Sequence, residues 1–171
     1  MELRRFFDRA IRASFHDLAL DGDPAVPYLA DLLTRFARTD NLYPRGLTLP
    51  RLESVVDMML EIQSAWQAET PDFRPEHEVS VRRHIGDYTL FMTGIFPERV
   101  ERQAGTDFYI AQGKRAYHFV SEHARASGRD APPPYRRLAE RFEHYVGALD
   151  YARRVHFFDA PAHPFFRLRF E

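Results

Sequence analysis

Between Ile85 and Phe96 the chain reads IGDYTLFMTGIF, and its apolar side chains leave no face of a helix wholly polar. A helix that is apolar nearly all round holds together in water only when other helices enclose it. This segment therefore predicts a core position for itself and amphipathic neighbours to surround it.

The neighbours are legible by their period. Leu3, Phe6, Phe7, Ala10, Ile11, Ser14, Phe15 and Leu18 recur at three- and four-residue steps, forming one apolar stripe that Gly22 closes. Asp23 followed by Pro24 reads as a cap and a first-position proline, opening a second helix with Val26, Leu29, Leu33 and Phe36 on its stripe. The loop-like TDNLYPRG precedes a third helix, expected over about 50–66, which ETPDFRPE breaks with two prolines. The enclosed helix follows at about 75–94, and Pro97 stands just beyond its end. A fifth helix is expected over about 106–127, closed by Gly128. A sixth, after the rigid APPPY, carries Leu138, Phe142, Tyr145, Leu149 and Ala152.

The predicted fold is an all-α bundle of about six helices around a central buried helix at 75–94, one helical domain over residues 1–160. With 15 Phe against a single Trp, its core is expected to be rich in phenylalanine. Residues 161–171 have a different character, since FRLRF alternates apolar and charged side chains with the period of a strand. They predict a short extended C-terminal tail whose Phe166, Leu168 and Phe170 dock in an apolar groove. That groove lies either on the bundle itself or on a second subunit, which would make the protein a homodimer.

Charge and composition remove several functions. A formal net charge of −1 argues against nucleic-acid binding, which draws on a basic surplus, even though Arg136, Arg137, Arg141, Arg153 and Arg154 supply basic faces. The chain has no cysteine, so disulfides, thiolate metal sites and cysteine nucleophiles are excluded. Its first residues, MELRRFFDRAIRASFHDLAL, lack the apolar centre of a signal peptide, and no apolar run approaches the ~20 residues of a membrane span. A cytoplasmic location without membrane association is therefore expected. No glycine-rich phosphate cradle, Gly-x-Ser-x-Gly elbow or His-Glu-x-x-His pair is present, and no cofactor is expected.

The polar residues of the central segment carry the remaining interest. Thr89 and Thr93 can bond back to carbonyls of their own helix, but an enclosed Asp87 needs a partner from elsewhere. The expected partner is a cation, either Lys114 or Arg115 on the next long helix or Arg83 one turn back. Gly86 and Gly113 suggest a close approach of those two helices that would bring Asp87 to Lys114. The competing expectation is a polar pocket between the same helices, lined by His84, Asp87, Tyr88, Lys114, Tyr117 and Glu122, which would take a small anionic or metal-bound ligand.

A resident metal is not expected. His84 and Asp87, His118 and Glu122, and Glu140 and His144 share helical faces. Chance alone gives roughly four of eight histidines an acid three or four residues away, and five have one.

The stretches YLADLLTRFARTDNLY, RRHIGDYTLFMTGIFPERV, FYIAQGKRAYHFVSEH and RLAERFEHYVGALDYARR, which span about residues 28–154, resemble a family of small all-helical bacterial proteins. The resemblance implies a bacterial protein of one domain. It implies no activity, cofactor or catalytic residue. A non-catalytic protein that binds a partner chain or a small ligand is the expected function, with an enzyme or ligand sensor built on the polar pocket as the alternative.

Overall fold

A computed structural model describes residues 3–37, 75–128 and 134–157. Seven helices occur among them: α1 (Leu3–Asp17), α2 (Val26–Phe36), α3 (Pro75–Ile95), α4 (Pro97–Gln103), α5 (Thr106–Ala126), α6 (Tyr135–Glu140) and α7 (Phe142–Val155). The helix expected over 50–66 and the tail at 161–171 lie outside the described residues. Within them the architecture is an all-α bundle, with no strand.

α3 is the central element. Every residue from His84 to Ile95 is buried, and the helix runs along α5 on one side and α7 on another. α1 packs on α2 and α7, and α6 packs on α5. All seven helices contribute to one apolar core, in which Phe7, Phe15, Phe36, Phe91, Phe142 and Phe157 are fully enclosed beside Tyr109, Tyr117 and Tyr145. Each ring removed from water contributes about 2 kcal/mol, so these aromatics supply a large share of the cohesion of the bundle beside its buried aliphatic side chains.

Several boundaries differ from the sequence reading, each for a local reason. α1 ends before Gly22, at Asp17, because Ala19 turns the chain with φ +57°. The Ala19 N–H donates to the His16 carbonyl at 3.0 Å and the Leu20 N–H to the Phe15 carbonyl at 2.7 Å. That pair of bonds is a Schellman closure, with alanine at a position that glycine usually fills. α2 opens at Val26, later than the Asp23–Pro24 pair suggested, with its proline at Pro27. The Asp23 carboxylate instead accepts from the Ala25 N–H at 2.8 Å and holds the turn ahead of the helix.

Pro97, expected only to follow the end of the central helix, opens the short α4. The expected sixth helix is broken at Arg141, whose backbone leaves helical geometry (φ −118°, ψ 29°). Beyond that break Phe142 lies fully buried over Gly113.

The glycines of α3 and α5 act against side chains. A Cβ at Gly86 would stand 2.6 Å from the Tyr117 ring, and one at Gly113 would stand 2.5 Å from Thr89 Oγ1 and against the Phe142 ring. A Cβ at Gly94 would meet Leu149 at 2.6 Å. Each glycine is a socket for a large residue of the neighbouring helix, which outweighs its cost to helix stability.

A buried carboxylate centre as the candidate site

The centre starts from Asp87 in the middle of α3, where the helix has already used the local backbone N–H groups. A carboxylate there cannot bond to its own backbone and must be met by side chains from other elements. Asp87 is 1% exposed. Its Oδ1 accepts from the Tyr28 hydroxyl at 2.5 Å and the Tyr117 hydroxyl at 2.7 Å, and its Oδ2 accepts from Arg35 Nη2 at 3.2 Å.

The donors come from two elements. Tyr28 and Arg35 lie two turns apart on one face of α2, and Tyr117 comes from α5. Each has an anchor apart from the carboxylate. The Tyr117 ring sits over Gly86 and stacks on Tyr135, whose ring also meets Tyr28 edge-on. Arg35 is held through Nε by Asp31, one turn back on α2, at 2.9 Å.

The electrostatics follow from burial and this carboxylate. Burial, then the Asp87 charge, pushes the Tyr28 and Tyr117 phenols above their ordinary range, so both stay protonated donors. Burial works against the Arg35 cation, but Asp87 outweighs it and holds the guanidinium more firmly protonated. The assembly is thus one anion, one cation and two neutral donors. Both Asp87 oxygens are engaged, and neither the two phenols nor the guanidinium is poised to give up a proton near neutrality.

This geometry corrects the expected ion pair. Lys114 Nζ bonds to Glu143 Oε1 of α7 at 2.8 Å and holds that acid below the ordinary carboxylate range, while Arg83 and Arg115 are exposed. The cation for Asp87 is Arg35. Gly86 and Gly113 are approached by the Tyr117 and Phe142 rings and Thr89 Oγ1, side chains rather than a facing backbone, and Lys114 is not among them.

Of the six expected pocket residues, Asp87 and Tyr117 meet directly. His84 and Tyr88 lie on the same helix in an aromatic row, with His84 edge-on to Phe36 and stacked on Tyr88, which in turn faces Tyr109. Lys114 and Glu122 are elsewhere, the one paired with Glu143 and the other exposed. Thr89 Oγ1 bonds back to the Ile85 carbonyl at 2.7 Å as expected, but the buried Thr93 hydroxyl has no partner among the described residues.

A second buried carboxylate, read from the sequence only as a cap, is built on similar lines. Asp23 accepts from the Tyr145 hydroxyl at 3.0 Å and from Arg137 Nε and Nη2 at 3.3 and 3.2 Å, joining the α1–α2 connection to α6 and α7. Burial and the Asp23 bond push the Tyr145 phenol up to about 12. A third cluster is exposed. Asp17 accepts from the Tyr151 hydroxyl and from His156 Nε2, each at 2.9 Å, and is held below its usual range by them. His156 therefore pairs across the fold with α1.

Among the described residues no three histidine, aspartate or glutamate side chains converge as metal ligands, and no helix is long and apolar enough to cross a membrane. No protein-family model matches the chain, and neither the curated proteins nor the solved structures contain a significant match to it.

Proposed function

We propose that this protein is a non-catalytic binding protein of the bacterial cytoplasm, which meets a partner chain through its surface while its buried polar centre serves the fold. The observation that carries this reading is the complete engagement of Asp87 by Tyr28, Tyr117 and Arg35. A substrate would have to displace donors from a carboxylate that has no other donor among the described residues. One further observation agrees with it. Arg136, Arg137, Arg153 and Arg154, four of the five arginines of the candidate basic faces, are drawn into ion pairs with Glu140, Asp23 and Asp150. The partner chain considered first is a second copy, engaged by Phe166, Leu168 and Phe170.

The test is a thermal-shift screen of the full chain against small metabolites and divalent metals, repeated on Asp87→Asn. A fold-supporting centre predicts that no compound gives a saturable shift that Asp87→Asn abolishes. One such compound would replace this reading with the ligand-sensor or enzyme alternative. For the dimer, light scattering on the full chain and on residues 1–160 should give twice the chain mass and the single-chain mass. Equal oligomeric states would remove the tail from the interface.

A further inference from the structure

We infer that Tyr28, Tyr117 and Arg35 form a carboxylate-binding site in their own right, which the chain fills with its own Asp87. Emptied by truncation of that residue, the site takes a small free carboxylate. The reasoning starts from what a carboxylate site requires: donors converging on both oxygens, positive charge on one side and exclusion of water. Here two phenol hydroxyls meet Oδ1, a guanidinium meets Oδ2, and the acceptor is 1% exposed.

Such a site outlives its occupant only if the donors are held by something else. Each of them is. The Tyr117 ring lies over Gly86 and against Tyr135 and Phe142, at centroid separations of 6.1 Å for both rings. Tyr28 meets the Tyr135 ring at 5.7 Å. Asp31 holds Arg35 through Nε, leaving its Nη2 directed at the centre. With Asp87 shortened, these groups still face one another around a void lined by donors, and a polar void of that kind binds an acceptor rather than staying dry.

Shape makes the inference specific. Asp87→Ala keeps Cβ and removes a carboxylate, a vacancy the size of formate. Asp87→Gly removes Cβ as well and leaves room for acetate. Access is on the α2 side, where the Arg35 side chain is 38% exposed and Tyr28 is partly buried, while Asp87 and Tyr117 are covered.

The experiment follows thermal unfolding of both full-length variants by circular dichroism. Sodium formate, sodium acetate and, at equal ionic strength, sodium chloride are each titrated to roughly 0.2 M, where even weak binding to the folded state registers. The expected result is a saturable rise in midpoint for Asp87→Ala with formate beyond that with chloride, and a preference for acetate in Asp87→Gly. The wild-type chain should respond to formate and chloride alike. The double variant Arg35→Ala/Asp87→Ala should lose the formate response. If Asp87→Ala is unfolded in chloride, formate should restore its helical signal. Equal responses to formate and chloride, or failure of formate to refold an unfolded variant, would overturn the inference.

Discussion

The two buried aspartates solve one problem in different places. Asp87 and Asp23 each receive tyrosine hydroxyl and arginine, and in each case the arginine side chain reaches solvent, at 38% and 37% exposure. Asp23 stands in a connection, so its own turn supplies a third kind of donor, the Ala25 N–H. Asp87 stands inside a helix, has no such local donor, and among the described residues draws its donors from α2 and α5. A carboxylate in a turn thus carries part of its compensation with it, whereas one in a helix relies on the tertiary structure. Losing the helical one should therefore do more damage.

The largest expected effect enters through the packing that supports the central acid. Gly113→Leu would drive a side chain into Thr89 and the Phe142 ring, and should destabilise by about 3 kcal/mol or more in chemical denaturation. A change below ~1 kcal/mol would mean that α3, α5 and α7 do not meet as described. Asp87→Ala should cost about 2–3 kcal/mol, because two buried hydroxyls and a half-buried cation lose their acceptor. Asp23→Ala should cost about half as much, since Tyr145 and Arg137 keep each other as partners at 3.0 Å. Equal losses would erase the distinction between the two sites.

The connection that carries Asp23 can also be improved. Ala19 occupies the left-handed region at φ +57°, so Ala19→Gly should stabilise by about 1 kcal/mol, read as a raised unfolding midpoint. The smallest effect is a pH dependence in the same connection. His16 Nδ1 lies 2.9 Å from Asp21 Oδ1, and that bond, then the Asp21 charge, raises the imidazole above its ordinary value of 6.5. A raised folded value means that the contribution is complete below about pH 6 and is lost as pH climbs through the folded titration. Stability curves of wild type and His16→Gln should therefore converge toward pH 8 or so, and parallel curves would remove His16 from the account.

How much of this was legible beforehand depends on the range of the interaction. The bounds of α3 and α5 were readable because caps, prolines and the apolar period act within a few residues, and the enclosure of Asp87 followed from the all-round apolar helix that bears it. Its cation was not readable. Gly113 and Tyr117 are four apart and face α3 together, whereas Lys114 is one step of about 100° further round α5, where it meets α7 instead. Nearness to the right glycine was therefore misleading. Tyr28 and Arg35 left one trace, a seven-residue spacing that puts both on one face of α2. Nothing local says which helix that face will meet. The turn at Ala19 was hidden for another reason: alanine gives no warning of left-handed backbone, and the nearby Gly22 attracted the assignment instead.

Arg35 touches Asp87 at one end of its guanidinium and the exposed Asp31 at the other, while its own side chain reaches solvent. The interior of the bundle therefore has an electrical window. Salt, or a charge placed on the surface beside that residue, is felt at the centre of the molecule through its guanidinium.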